Sequence, residues 1–398
     1  MRVLLTDGDQ RSTLAAVRAL GSAGIEVHVG ESSRNSLASR SRHCASSFVY
    51  PSPYEDEAGF LNAVVSTAVT HEVALIMPMT DISSAILAEH RHQVMPTVGV
   101  AVVDAETFWR ASDKNTLHAF AESLGVPTPT THYIDAAGRT SELDVEYPCV
   151  VKPTRSRVRT HSGWRKTSVQ RVETRAALER ALQVCRELQC PSMIQRVVDG
   201  DGIGVFALCE HGETRMLFAH RRLREKPPSG GVSVLREAVP LDPVATEYAS
   251  RLLRGLKWHG VAMVEFKRDR LTNVPYLMEI NARFWGSLQL AIDAGLNFPL
   301  QAVRLWLGEK VLPQTSYQVG VRSRWLLGDL DHLLLRLSSR GAPPPDAPSI
   351  PRLLMDFCRF FRTDTRYEIE SWRDPGPSLH EVSLYARDFF RSFARAGR

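Results

Sequence analysis

The chain has 398 residues, of which 43% are hydrophobic and 23% charged, with a formal net charge of +5. That length exceeds one ordinary compact core, so two or three packed units are expected, and the composition excludes a disordered or collagen-like chain. The mild positive charge, with no dense basic stripe interleaved with aromatics, argues against nucleic acid as a partner and suits an anionic small molecule. The cysteines at 44, 149, 185, 190, 209 and 358 are scattered without a C-x-x-C pair, so reduced structural thiols are expected. The start, MRVLLTDGD, meets acidic residues too early for a signal peptide. No stretch approaches the roughly 18 to 20 apolar residues of a membrane span. A soluble, cytoplasmic protein is expected.

Residues 1–110 read as alternating strands and helices. Val3–Leu5 is a short apolar run, Asp7–Gln10 is turn chemistry, and Ser12–Ala23 has helical spacing at Leu14, Val17 and Leu20. Gly24 then stops the helix before a strand at Ile25–Val29. A second set follows: a periodic segment over Phe60–Val69, a strand at Ala74–Met77, a helix at Ser83–His90 and a strand at Val98–Val103. The first loop lacks G-x-G-x-x-G, so this unit reads as a scaffold framing one side of a cleft rather than as an independent cofactor site.

A helix over Lys114–Leu124, capped by Ser112 or Asp113, ends at Gly125. The chain then changes character. From Cys149 to His220, β-rich runs (CVVK, SVQRV, MIQRVV, IGVFALCE, TRMLFAHRRL) alternate with turn signals such as Asp199–Gly202 and His211–Gly212, and a helix spans Thr174–Leu188. An antiparallel sheet with a covering helix is expected. A helix over Pro243–Leu256 and a last hairpin, VAMVEFKRD with PYLMEINAR, complete the unit. After Pro313 the stretch Gly341–Pro345 reads as a linker or rigid turn and the remainder as helices. The basic, aromatic end from Leu384 to Arg398 reads as a helix docked on the body, with contact to an anionic membrane surface as the rival reading.

The most informative pattern is MVEF at 263–266 followed by LMEIN at 277–281, separated by turn residues Arg268, Asp269, Arg270, Thr272 and Asn273. A hairpin centred near Thr272 puts Glu265 opposite Glu279. Strand alternation places Glu279 and Asn281 on one face and Met278 and Ile280 on the other, beside Val264 and Phe266. Two carboxylates facing each other repel unless a cation lies between them. Mg²⁺, a hard ion held in nucleotide enzymes by one or two carboxylates plus phosphate oxygens, resolves the conflict, and the Asn281 amide oxygen supplies a further ligand. The plainer alternative, a solvated surface hairpin, fits poorly with strands this apolar.

Lys152 ends the apolar strand Cys149–Val151, where an ammonium needs an anion such as a nucleotide phosphate or an escape to solvent. The loop 154–170 carries Arg155, Arg157, Arg159, Arg165 and Lys166 with Ser156, Ser162 and Gly163 and no acidic residue; a solvated face and a flap over a triphosphate are equally open. Met193–Val198 suits an adenine-lining strand, with backbone of Arg196 to Val198 reading the base edge and Gln195 flanking it, or plain sheet packing. HRRLREKPPSGGVS at 220–233 is a cationic strand end leading into a Pro- and Gly-rich loop. Arg222, Arg224 and Lys226 there are candidates for stabilising a phosphoryl-transfer centre, and Ser229, Gly230 and Gly231 for meeting a substrate carboxylate; a mobile surface loop is the alternative.

With Lys114, Lys152, Glu265, Glu279, Asn281 and Arg283 in this order, the chain resembles the ATP-grasp superfamily, in the branch that includes biotin carboxylase and carbamoyl phosphate synthetase. The resemblance covers about residues 1–312, and its most specific part is E-I-N-A-R at 279–283. It implies an α/β (α+β) protein: a Rossmann-like pre-ATP-grasp domain over 1–110, an ATP-grasp domain of two subdomains with antiparallel sheets over 111–312, and a helical C-terminal extension over 313–398. It further implies that Lys114 and Lys152 contact ATP phosphates, that Gln195 and Val198 flank the adenine, and that Glu265, Glu279 and Asn281 hold Mg²⁺ or Mn²⁺. Arg283 would meet an acyl phosphate or tetrahedral intermediate. Two departures stand out: the loop after Lys152 is arginine-rich rather than glycine-rich, and Gly202 stands near the usual ribose-binding acid, leaving Asp199 or Asp201 as substitutes.

The expected activity is a magnesium- and ATP-dependent carboxylate-amine ligase that forms an acyl phosphate and passes it to an amine, by positioning and electrostatics. A non-catalytic ATP-binding module and a small-molecule kinase are the rivals. The expected partners are ATP, a carboxylate and an amine, with no nucleic acid and no membrane span; a homodimer is compatible, and oligomeric state stays open.

Overall fold

A computed structural model describes residues 1–135, 144–160, 163–187, 190–338 and 347–396, with side chains up to residue 388. The expected linker Gly341–Pro345, the flap residue Ser162 and the helix end Leu188 lie outside the described residues.

The chain opens with β1 (Arg2–Leu5), α1 (Arg11–Ser22), β2 (Glu26–Glu31), β3 (Cys44–Val49), α2 (Glu57–Thr70), β4 (Leu75–Met77), α3 (Asp81–Glu89), α4 (Arg91–Val94) and β5 (Gly99–Val100). These strands form a parallel sheet in the order β3-β2-β1-β4-β5. Val3, Leu4, Leu5, Leu75 and Ile76 are fully buried, as a parallel sheet covered on both faces requires. α1 buries Leu14, Val17 and Leu20, the three residues whose spacing predicts it. β3 escapes the sequence reading because its small polar residues alternate in and out at a sheet edge and carry little strand signal. β5 is shorter than Val98–Val103 because it pairs with β4 only at Gly99 and Val100.

α5 (Ala105–Ser112) and α6 (Lys114–Ser123) lead away from this sheet. Asp113 caps α6, accepting from the Asn115 N–H at 3.1 Å, and Gly125 follows with φ +67°. Next come β6 (Thr131–Ile134), β7 (Cys149–Pro153), β8 (Arg157–Thr160), β9 (Gly163–Lys166), β10 (Gln170–Val172), α7 (Arg175–Glu187) and β11 (Ser192–Arg196). An antiparallel sheet in the order β10-β7-β11-β6 closes its own small core against Leu178, Ala181, Leu182 and Cys185 of α7. β8 and β9 form a separate hairpin.

The remaining elements are β12 (Gly200–Glu210), β13 (Glu213–Lys226), β14 (Val232–Ala238), α8 (Pro243–Gly255), β15 (Gly260–Asp269), β16 (Pro275–Asn281), α9 (Leu288–Asp293), α10 (Phe298–Trp306), β17 (Arg322–Arg324), α11 (Leu326–Leu337), α12 (Ile350–Phe357), β18 (Thr365–Tyr367) and α13 (Gly376–Ala396). The large sheet runs β16-β15-β12-β13-β14-β17-β18, antiparallel except for the parallel β17–β18 pair. The expected turn at Asp199–Gly202 is instead the start of β12, with Gly200 opposite Asp269 and Gly202 opposite Lys267. Glycine suits the first position, because a Cβ on Gly200 would lie 1.6 Å from the Arg268 carbonyl oxygen.

One face of this sheet, with Val205, Ala207, Val264, Phe266 and Ile280, joins the core that includes Ala249 and Leu252 of α8, Leu117 and Ala121 of α6 and Phe108 of α5. The other face changes along its length. Phe206 and Met263 pack with Trp285, Leu288 and Ala302, whereas the next cross-strand pair, Gly204 with Glu265, leaves that core. The transition from core to cleft therefore falls within two residues.

Helices follow Pro313 as expected, but β17 and β18 also add two strands to the large sheet. Their three-residue runs, RSR and TRY, contain no apolar pattern to announce them. α13 docks on the body: Glu381 accepts from the Trp325 indole at 2.7 Å and the Tyr385 hydroxyl reaches Asp331 at 2.5 Å. Among the described residues no helix is long and apolar enough to cross a membrane.

Candidate functional site

Glu265 and Glu279 stand directly opposite each other in the β15–β16 hairpin, as their spacing predicts. The pairing depends on a bulge. Val264 faces Ile280, but Phe266 faces Leu277, so Met278 is the extra residue. This corrects the simple alternation expected for Met278: Leu277 and Ile280 both enter the core, and the bulge between them restores Glu279 and Asn281 to the open face. His118 lies beneath, its Nε2 3.5 Å from the Met278 carbonyl, and its imidazole is pulled down to about 4 by burial and then by Lys152.

The electrostatics of the pair are asymmetric. Lys114 Nζ, contributed by the first residue of α6, meets Glu279 Oε2 at 3.0 Å and donates to Ser156 Oγ at 3.1 Å. This ammonium is the main reason that Glu279 is pushed down to about 2. Glu265 moves the other way, raised by burial and then by the charge of Glu279. Arg222 NH2 lies 3.3 Å from Glu265 Oε1. An oxygen set of two carboxylates and the Asn281 amide, with one carboxylate destabilised as an anion, fits a hard divalent cation. Among the described residues no group of three or more His, Cys, Asp or Glu side chains forms a metal cluster.

Lys152, 8% exposed on β7, donates to Gln195 Oε1 at 2.9 Å, and Gln195 Nε2 donates to Thr131 Oγ1 at 3.0 Å. Burial, followed by Lys114, lowers the Lys152 amine to about 8. Gln195 is thus engaged with Lys152 inside the small sheet. Val198 is buried, and Arg196 pairs with Asp269 at 3.6 Å while its guanidinium lies 5.3 Å from the Tyr276 ring centre. Asp201 is not brought to this site. Its partner in the ladder is Arg268, so strand alternation puts it on the face opposite Glu265, where its side chain is 86% exposed beside Arg270. The open face at that level carries Gly202 and Lys267 instead.

Arg283 is held at the mouth of the hairpin by Asp81 of α3 at 2.7 Å and by Asn281 Oδ1 at 3.3 Å. Asp81 comes from the N-terminal sheet unit, and no local pattern in the sequence marks it. The cationic run on β13 divides. Arg222 reaches the carboxylates, but Arg224 binds Asp329 at 2.8 Å and Lys226 pairs with Asp331, so these two anchor α11 rather than line the cleft. Of the three loop residues expected there, Ser229 and Gly230 sit at the exposed tip of the β13–β14 turn and Gly231 lines the cleft, as does Ser233. That cleft, about 210 Å³, also contains His220, the first residue of the cationic run, and Arg11, Arg236 and Ser287, which no motif marks.

The arginine-rich hairpin β8–β9 is strapped to the N-terminal unit. Arg159 binds Glu57 at 3.0 Å and Glu89 at 2.8 Å, the Trp164 indole donates to Glu57 at 3.1 Å, and Trp164 stacks on Trp109 at 6.3 Å between centres. Gly163, at φ +101°, lets the turn approach Tyr54, whose carbonyl oxygen would lie 2.0 Å from a Cβ. Neither a fully solvated face nor a free flap describes this arrangement.

Residues 188–327 match the family described as ATP-grasp in the biosynthetic pathway with Ter operon. The matched segment holds Glu265, Glu279, Asn281 and Arg283 on the elements just described. The fold is the ATP-grasp fold. No curated relative matches it by sequence. Solved structures with the same ATP-grasp architecture include an L-amino acid ligase from Bacillus licheniformis, with TM-score 0.60 and 18% identity over 77% of this chain and 74% of the other. A biotin carboxylase from Campylobacter jejuni in complex with β,γ-ATP gives TM-score 0.63 and 16% identity over 80% and 74%. An N5-carboxyaminoimidazole synthetase from Staphylococcus aureus complexed with ADP gives 0.63 and 14% identity over 85% of each chain.

Proposed function

We propose that this ATP-grasp protein is a magnesium-dependent ligase that activates a carboxylate as an acyl phosphate and couples it to an amine. The observation that carries the reading is the opposition of Glu265 and Glu279, with the buried Lys114 ammonium on one of them. Glu265, Glu279 and Asn281 would hold Mg²⁺ or Mn²⁺, which when bound supplies neutralisation of the triphosphate. Lys114 and Lys152 are the phosphate-binding cations of the proposal, both more than nine-tenths buried and lacking a full counter-charge for the pair. The strand end at Gln195, Arg196 and Val198 takes the adenine.

In the proposed reaction a carboxylate oxygen attacks the γ-phosphorus, and ADP leaves with the electron pair of the broken bond. Arg283, oriented by Asp81 and Asn281, offsets charge on the acyl phosphate while the amine adds and phosphate departs. The proposal retains a division into 1–110, 111–312 and 313–398, and the free thiols suit a reducing cytoplasm. The test is ADP release by purified protein with Mg·ATP and pooled carboxylates and amines. Oxygen from a labelled carboxylate should appear in the released phosphate, and the Glu279→Gln variant should be inactive. Full activity of that variant overturns the reading.

A second reading, nucleotide binding without turnover, draws support from the strapped β8–β9 hairpin and from Asp201 lying on the far face. Tight Mg·ATP binding with no ADP formation across the same pools would favour it.

A further inference from the structure

Beyond Glu265 and Glu279 the cleft runs on to a second cluster of charge. Arg11, the first residue of α1, and Arg236, on β14, both line it, together with His220, Ser233, Trp285 and Ser287. Arg236 is 1% exposed. Its NH2 meets Glu368 Oε2 at 2.6 Å, and Arg11 NH1 pairs with the same oxygen. Two guanidiniums therefore share one carboxylate oxygen; Arg11 also lies 4.1 Å over the Trp325 ring and feels Glu381, whereas Arg236 has Glu368 as its carboxylate contact in a buried setting, where an added anion is favourable. Arg236 Nε, His220 Nδ1 and Trp285 Nε1 are buried polar atoms with no hydrogen-bond partner among the described residues. His220 Nε2 lies 2.7 Å from Ser287 Oγ, which fixes that hydroxyl at the wall. Burial and the neighbouring guanidiniums lower Arg236 to about 10, against the opposing pull of Glu368.

These guanidiniums are separate from the cations at the hairpin, where Arg222 and Arg283 pair with Glu265 and Asp81. The planar fork of a guanidinium matches the two oxygens of a carboxylate, and the unpartnered Arg236 Nε and Trp285 Nε1 leave donors for one.

Resting on the ligase reading above, we propose that the substrate is a dicarboxylate: one carboxylate is activated beside Glu265 and Glu279, and the other is held by Arg11 and Arg236 with the Ser287 hydroxyl. Glu368 is a positioning residue that fixes both guanidiniums. Only the first carboxylate reacts; its oxygen bonds the γ-phosphorus as the bond to the bridging oxygen of ATP breaks and ADP departs with that electron pair.

Calorimetric titration tests this without requiring turnover. Malonate, succinate, glutarate and adipate are compared with monocarboxylates of the same chain length, and succinate with 3-phosphonopropionate. At least one diacid should bind about tenfold tighter than its monoacid, a difference of about 1.4 kcal/mol. Arg11→Gln should erase that preference and Arg11→Lys should keep most of it. Equal binding of diacids and monoacids, a preference unchanged in Arg11→Gln, or tighter binding of the phosphonate than of succinate each overturns the proposal. Mg·ATP titrated into the same three proteins reads the nucleotide site separately, so loss of the ligase reading and loss of the dicarboxylate are distinguishable.

Discussion

Lys114 Nζ lies 3.0 Å from Glu279 Oε2, so the ammonium occupies one side of the carboxylate pair. A cation arriving between Glu265 and Glu279 competes with that contact and frees Lys114 toward an incoming phosphate. Metal and nucleotide binding should therefore be coupled. Glu279→Gln is expected to reduce Mg-dependent ADP formation roughly 100-fold or more, while Glu225→Gln, at a residue that pairs with Arg222 NH1 rather than with the carboxylate pair, changes it little. Steady-state ADP release checks both.

On the proposed metal site, the raised Glu265 carboxyl predicts a pH dependence of binding. Its proton is retained above the ordinary carboxylate range and must leave when a divalent ion binds, so affinity for Mn²⁺ should rise with pH through that interval and then level off. Glu265→Gln should flatten the curve. Mn²⁺ titration followed by its paramagnetic resonance signal measures this.

Lys152 works in the opposite sense. Its amine falls to about 8 in the folded protein from the ordinary 10.5 of a lysine, so between those limits the unfolded chain binds more protons and stability should rise with pH. A bound phosphate restores the charge. Calorimetry near pH 8 in two buffers of different ionisation enthalpy should reveal proton uptake on Mg·ATP binding, absent from Lys152→Met.

Arg224 and Arg324 both bind Asp329, which is 1% exposed. Asp329→Ala strands two buried guanidiniums and should cost about 3–5 kcal/mol, read as a lower denaturant midpoint. Gly200→Ala, by overpacking against the Arg268 carbonyl, should cost about 1–3 kcal/mol.

The β8–β9 hairpin depends on Glu57, which accepts from both Arg159 and Trp164. Glu57→Ala should release it, increasing tryptic cleavage within residues 155–166 and shifting Trp164 emission to longer wavelength. An unchanged cleavage pattern would mean that the strap is held by other contacts.

What was legible in the sequence followed from local period. α1 could be read from Leu14, Val17 and Leu20, and the facing of Glu265 and Glu279 from two short runs around one turn. The bulge at Met278 could not, because it answers to packing of Leu277 and Ile280 in a core built from distant helices. Arg224 and Lys226 looked like substrate cations because their partners, Asp329 and Asp331, lie 105 residues further along. Arg11 and Glu368 are 357 residues apart, and neither belongs to a motif. Charge alone marked these arginines; only the folded chain assigns them partners.

The most direct test of the account is Mn²⁺ binding in the presence of ATP, followed by the loss of the free-ion resonance signal. Wild-type protein should take up Mn·ATP saturably, and the Glu265→Gln, Glu279→Gln double variant, folded by circular dichroism, should not. Equal uptake by the double variant would contradict the central claim that these two carboxylates hold the metal.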